Sequence, residues 1–223
     1  MAKKGLDLTR QSGLIPTEVI EAVTVHITGA GAVGSHTAEV LCKMGIRDME
    51  VVDFDHIEAH NLPNQGFYIP DLGKPKVEAL ALRLNDGLGA NVVAVNTKIE
   101  EPPTFAQQIV ISAVDSMAVR EILWAGFLKS PEARYFVDGR MGARFGKVYF
   151  VDKADPKMLK KYAGSLHSDE EGYQAPCTEK ATIFCAYGLS ALIGALVAKS
   201  VTGDTVNFET DLDLAGFTLM RCM

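Results

Sequence analysis

The sequence predicts an α/β domain built on a mixed, mainly parallel sheet with helices on both faces. Residues 23–28 (VTVHIT) are β-branched and run into a Gly-rich turn, after which residues 35–44 (SHTAEVLCKM) suit a helix closed by Gly45. Residues 49–53 (MEVVD) follow as a second strand, and a strand, helix, strand order needs a crossover that makes the strands parallel. The same alternation then repeats along the chain.

Residues 76–85 read as a helix, 92–97 and 109–113 as strands, and 116–129 as a helix. Beyond Arg134 the character changes: 135–137, 147–151, 205–208 and 217–220 read as strands, so antiparallel pairs are expected to join the sheet. Residues 152–176 (DKADPKMLKKYAGSLHSDEEGYQAP) are charged and lack sustained apolar periodicity, which reads as a solvated linker or a mobile functional loop. Residues 181–198 (ATIFCAYGLSALIGALVA) carry no charge over roughly the 18-residue length that raises the question of a membrane span. Thr, Ser, Tyr, Gly and Ala dilute that stretch, and a buried core or subunit-interface helix is the better reading. Ser190 and Gly194 would let another backbone approach it closely.

With 223 residues, 48% hydrophobic and 22% charged, the chain can bury a sizeable core, and one domain over 1–223 is expected. A net charge of -6 argues against a protein that lives by neutralising phosphate backbones, so no nucleic acid partner is expected. Cys42, Cys177, Cys185 and Cys222 form no Cys-x-x-Cys pair and read as reduced, intracellular thiols. The opening MAKKGLDLTRQSGLIP has no apolar run of the secretory kind, and a cytoplasmic protein with no membrane partner is expected.

Chemistry enters at TGAGAVG. Gly29, Gly31 and Gly34 lie between a predicted strand and a predicted helix, and Asp53 ends the next strand. Glycines let the backbone approach a phosphate, the helix N-terminus supplies positive potential, and Asp53 can accept hydrogen bonds from ribose hydroxyls. A dinucleotide and a mononucleotide both fit this beginning. The runs DFDHIEAHNLPNQGF, GKPKVEALALRLN and ISAVDSMAVRE bear on that choice, because a nicotinamide enzyme has no evident need for this series of Asp, Asn, Gln and Lys. An enzyme that activates carboxylates does: it must hold a triphosphate with cations, place Mg2+ on a carboxylate and stabilise charge at the α-phosphate.

At these residues the sequence resembles the ThiF, MoeB and HesA family, compact bacterial relatives of ubiquitin-activating enzymes, from Arg10 to about Gly203. The resemblance implies a Rossmann-like fold with an N-terminal arm over 1–22 and a crossover loop over about 152–182. It implies ATP and Mg2+ as cofactors, Asp53 on the ribose with Asp55 beside it, and Asn61, Gln65 and Lys76 around the phosphates. Asp115 would hold Mg2+ and lie beside the α-phosphate. Thr9-Arg10-Gln11 is similar to the family's N-terminal Arg-Gln, whose arginine reaches the partner subunit's ATP site, so a homodimer is implied. One position departs: the family's Asn-Leu-x-Arg-Gln is written Asn61, Leu62, Pro63, Asn64, Gln65, which removes a phosphate-facing arginine. Arg140, in DGRMG at a strand end, is the expected substitute.

Cys177, in APCTEKAT, resembles the cysteine that takes the activated acyl group in such enzymes, and Lys180 nearby would favour its thiolate. Cys185 reads as core, and Cys42 and Cys222 as structural or incidental. His56 and His60 read as solvated loop histidines and His26 as a satisfied interior side chain. Lys160, Lys161 and the acidic run 169–171 read as solvated faces. The expected reaction is adenylation of the C-terminal carboxylate of a ubiquitin-like or sulfur-carrier protein ending in Gly-Gly, followed by a thioester on Cys177. The alternative is adenylation of a small-molecule, nucleoside or peptide carboxylate with no cysteine step. A nucleotide-dependent binding subunit and a nicotinamide oxidoreductase are the remaining readings.

Overall fold

The computed structural model describes residues 6–168 and 181–222. Its strands are β1 (Thr24–Thr28), β2 (Asp48–Val52), β3 (Asn91–Val95), β4 (Ile109–Ser112), β5 (Tyr135–Gly142), β6 (Phe145–Asp152), β7 (Glu209–Asp213) and β8 (Thr218–Cys222). They form one eight-stranded sheet in the order β3-β2-β1-β4-β5-β6-β7-β8. Pairs from β3 to β5 are parallel and pairs from β5 to β8 antiparallel. The fold is therefore the expected α/β class, with antiparallel strands added at one edge.

The helices are α1 (Thr17–Ile20), α2 (Ala32–Met44), α3 (Lys76–Leu88), α4 (Met117–Lys129), α5 (Pro156–Ala163) and α6 (Ile183–Thr202). Alternate residues of each central strand feed two cores. Val25, Ile27 and Val51 join Leu41 of α2, Leu80 of α3 and Leu189 of α6 on one face. Val110, Phe136 and Val151 join Leu123 and Phe127 of α4 and Tyr162 of α5 on the other. Burial on both faces explains the near-continuous apolar strands read in the sequence.

The uncharged stretch is α6, the one helix among the described residues long and apolar enough to cross a membrane, and half of it is buried inside this fold. Its small residues carry the close approach: a Cβ on Gly194 would stand 2.7 Å from Val40 Cγ1, and Ser190 Oγ donates to the Val33 carbonyl at 3.1 Å. Cys185 and Cys42 are buried, and burial pushes their thiols up to about 11 and about 12. His26 is a satisfied interior side chain, with Glu50 and Thr28 each 2.8 Å from a ring nitrogen.

Three elements differ from expectation. α2 begins at Ala32, three residues early, because extended Gly31 already accepts from Ser35 N at 3.0 Å. α5 lies inside the segment read as linker or loop: Asp155 caps it by accepting from Lys157 N and Met158 N, Pro156 fits its first turn, and Tyr162 anchors it with no exposed surface. The strand expected at 205–208 is β7, at Glu209–Asp213. Its alternating acids hid it, and Lys147 of β6, ion-paired to both Glu209 and Asp211, is what makes them compatible with a sheet.

Candidate active site

The order of strands reverses between β1 and β4, and in a doubly wound sheet that switch point opens a crevice at the carboxyl ends of the strands. Register fixes its floor: Val52, Thr28, Ser112 and Asp138 form one row across β2, β1, β4 and β5. The chain segments leaving that row enclose a cleft of about 910 Å³.

On the β1 and β2 side, Gly29 and Gly31 line the cleft with Asp53 and Asp55. Gly29 has φ +95°, and a Cβ there would stand 2.5 Å from the Ala113 carbonyl oxygen, so any other residue would be strained. Gly34 does not line the cleft. It packs α2 on the turn below, where a Cβ would fall 1.8 Å from the Gly29 oxygen. Asp53 clasps the two turns together, one oxygen accepting from Ala30 N at 2.6 Å and the other from Asp55 N at 2.8 Å. Each oxygen keeps a lone pair free for a hydroxyl. Lys76, buried at the first position of α3, sits 2.7 Å from the half-exposed Asp55 carboxylate. Gln65 completes this wall, and Asp115, exposed, stands beyond the end of β4.

Other expected site residues lie elsewhere. Asn61 is buried, and its amide oxygen accepts from Glu58 N at 2.9 Å, shaping the loop that carries Gln65 rather than lining the cleft. Arg10 is exposed and lies outside the lining of its own chain's cleft; its neighbour Gln11 donates to the Met44 carbonyl at the end of α2 at 2.5 Å. Cys177, Lys180 and the acidic run 169–171 lie outside the described residues. So does the side chain of Cys222.

The family model described as the ThiF family matches residues 6–218. The chain belongs to the ThiF family. Similar stretches occur in the NEDD8-activating enzyme E1 catalytic subunit of Arabidopsis thaliana, 36% identical over 86 residues, covering 38% of this chain and 19% of that protein. The ubiquitin-like modifier-activating enzyme 5 of Culex quinquefasciatus is 41% identical over 69 residues, covering 30% of this chain and 17% of that protein. The matched stretch thus spans under a fifth of either relative's length. Among solved structures, the fold is similar to E. coli MccB, with a TM-score of 0.76 at 14% identity over 100% of this chain and 70% of that one. MccB with AMPCPP and MccA gives 0.73 at 16% identity, over 92% and 65%.

In this ThiF-family chain the β5 side of the cleft is built differently from the β2 side. Asp138, with no exposed surface, accepts from Arg120 Nε at 3.0 Å and Arg140 Nε at 2.7 Å, and the Tyr162 hydroxyl donates to it at 3.1 Å. Arg120 also donates to the Val114 carbonyl, next to Asp115, and Arg140 to the Ser165 carbonyl and hydroxyl at 3.1 and 3.2 Å. Burial opposes charge on Arg140, but Asp138 outweighs it and holds the guanidinium above its usual value. Burial and Asp138 together push the Tyr162 phenol well up. One carboxylate between two guanidiniums leaves this side net positive, and both arginines line the cleft.

Arg140 therefore lines the cleft, but from within β5, which runs on to Gly142 where a strand end after Val137 was expected, and across the glycine turn from Lys76. Asp138 and Arg120 carried no expected role. An Asp closing the apolar run 135–137 was the available signal for Asp138, and Arg120 lay within VDSMAVRE.

Proposed function

We propose that this chain binds ATP in the cleft and adenylates the terminal carboxylate of a peptide or small protein, releasing pyrophosphate. The observation that carries the reading is that Gly29, Gly31, Lys76 and Asp115, distant in sequence, converge on one crevice of a ThiF-family chain. The residues fit the nucleotide: nothing lies within 4 Å of where a Cβ on Gly31 would be, so backbone is open to a phosphate, and Asp53 has lone pairs for ribose. Asp115 offers hard, exposed oxygens suited to Mg2+, which when bound would neutralise phosphate charge. Lys76, held by Asp55, supplies fixed positive charge to the phosphates. The net positive β5 side suits the incoming carboxylate.

In its finer form the acceptor is a ubiquitin-like or sulfur-carrier protein ending in Gly-Gly, the protein is an intracellular homodimer completed by Arg10 from its partner, and Cys177 collects the acyl group as a thioester. The relatives named as E1 and modifier-activating enzymes support this acceptor. Cys42 and Cys185 are buried and their thiols pushed up, which suits neither to the task, and of the other two cysteines Cys177 is the one whose APCTEKAT setting resembles an acyl-accepting cysteine. The MccB structures, solved with ATP and with MccA, favour a second reading in which a peptide carboxylate is adenylated without a cysteine step.

ATP–pyrophosphate exchange with Mg2+ and a panel of proteins and peptides ending in Gly-Gly tests the reading. Exchange is expected to need both the acceptor and Asp115; exchange unchanged by Asp115→Ala would sink it. Cys177→Ser separates the two forms, because it abolishes a covalent acyl adduct only in the first.

A further inference from the structure

A hydroxyl, an imidazole and a carboxylate lie in series at the floor of the cleft. Thr28 Oγ1 stands 2.8 Å from His26 Nε2, and His26 Nδ1 stands 2.8 Å from Glu50 Oε1. Alternation along β1 puts His26 and Thr28 on one face, and register sets Glu50 of β2 beside His26. Thr28 ends β1 immediately before the glycine turn and lines the cleft, whereas His26 and Glu50 do not. Its backbone is held in the ladders to β2 and β4, with its carbonyl accepting from Ala113 N at 2.9 Å. The group Thr28 offers a bound molecule is therefore its hydroxyl.

Proton counting sets the sense of each bond. The His26 bond holds the Glu50 carboxyl below its usual range, against the opposing effect of burial, so Glu50 is a carboxylate that only accepts and Nδ1 carries a proton. In the neutral ring Nε2 is then a lone pair. Thr28 gives its one proton to that lone pair, and its hydroxyl turns only acceptor sites to the cleft. In the imidazolium Nε2 donates instead, and the Thr28 proton is released for an anionic oxygen. Around the ring, Phe105 stands edge-on at 4.7 Å, Val110 is beside it in β4, and Glu50 is the titratable neighbour. After β3, Lys98 and Glu100 are exposed and paired with each other at 3.2 Å. On α4, Arg120 is held by Asp138, two strands away across Ser112. The Ser112 hydroxyl, next to Thr28 in the row, is buried without a partner, so it does not take the Thr28 proton.

We propose that Thr28 is a ligand contact of the cleft, donating to a phosphoryl oxygen of the nucleotide, and that His26 and Glu50 are positioning residues that bind one proton together with that anion. The proposal rests on the reading of the cleft as an ATP site. The balance is a transfer of protons alone: one from solvent goes to His26 Nε2, which then donates to Thr28 Oγ1, and the Thr28 hydrogen turns to the ligand. A buried imidazolium with a carboxylate at one end and an anion beyond Thr28 at the other is matched on both sides, the condition under which burying charge is tolerated. A neutral ligand leaves one side unmatched, so the series selects charged ligands over neutral ones.

Isothermal titration of wild type, Thr28→Val and Thr28→Ser with Mg·ATP and with adenosine, each in Tris and in PIPES at one near-neutral pH, tests this. The buffers differ in ionisation enthalpy, so the difference in heat counts the protons taken up, and the nucleotide's own protonation is common to all variants. Wild type is expected to take up more protons with Mg·ATP than with adenosine, by up to about one per site. Thr28→Val should remove that excess and weaken Mg·ATP about 10- to 100-fold, with adenosine changed less than about twofold, as for loss of a hydrogen bond to a charged group. Thr28→Ser should restore both. Equal weakening of the two ligands marks a structural role for Thr28 and overturns the proposal, as does an uptake that Thr28→Val leaves unchanged. Mg·ATP bound by wild type without the excess uptake overturns this proposal and leaves the ATP reading standing, whereas no Mg·ATP binding by wild type overturns both. Should Thr28→Val not fold, nitrogen NMR of the wild-type imidazoles decides. His26 is expected to carry a proton on Nδ1 alone in the free protein and on both nitrogens with Mg·ATP, and a ring unchanged by binding overturns the proposal.

Discussion

The two sides of the cleft solve the same electrostatic problem differently. Beside β2 one buried lysine meets one half-exposed carboxylate, Lys76 with Asp55, and water shares the cost of the carboxylate's charge. Beside β5 two arginines meet one carboxylate that has no exposed surface, Asp138, and neither can lose it without leaving a charge unpaired. The first arrangement is a local device built by a loop and a helix start. The second binds α4, α5, β5 and the Ser165 turn into one network, so function and stability are separable at Lys76 and inseparable at Asp138.

The contrast is broken most severely at its centre. Asp138→Asn is expected to cost about 3–5 kcal/mol in urea unfolding, because it strips the charge partner from two guanidiniums; a loss under about 1 kcal/mol would mean that water already screens them. Lys76→Met should reverse the pattern, lowering pyrophosphate exchange about 10²- to 10³-fold, as expected for loss of a preorganised charge. Its unfolding free energy should move by less than about 1 kcal/mol, since Asp55 is half in water. Gly34→Ala sets a Cβ against the Gly29 oxygen and should cost about 1–3 kcal/mol or more, with weaker nucleotide binding because the turn above must shift. Tyr162→Phe removes one of the three donors to Asp138 and should cost about 1 kcal/mol in the same unfolding assay.

The smallest effect concerns pH. Burial lowers the pKa of His36 below its usual 6.5, against weaker favourable effects of the Asn64 carbonyl and Glu39 and with Arg83 acting in the same direction as burial. A histidine that resists protonation when folded leaves the unfolded state with more bound protons below pH 6.5. Stability should therefore fall as pH drops from 6.5 through the folded value, and be unaffected by His36 above it. Melting curves of wild type and His36→Gln between pH 5 and 8 check this: the variant should show the shallower slope.

Much of the β2 side was legible because its chemistry is written locally. A glycine turn, the aspartate after the next strand and a lysine opening a helix each follow from short-range rules of backbone freedom and helix ends, and the structure gathers them where a parallel sheet reverses its strand order. Asn61 shows a use that local spacing did not signal: its amide oxygen caps its own loop. α5 was missed because a capped helix with one buried tyrosine shows little periodicity in eight residues.

By itself, then, the sequence determined the alternation of strands and helices, the parallel crossovers and the residues that local geometry brings to the glycine turn. Only the tertiary structure decided that one buried aspartate serves both Arg120 and Arg140. That Arg83 of α3 reaches the Gly66 carbonyl and the Tyr68 ring was likewise its decision. Those are relations between segments distant in the chain: register and helix packing set them, and no short-range preference of any one segment encodes which charges will share a single buried partner.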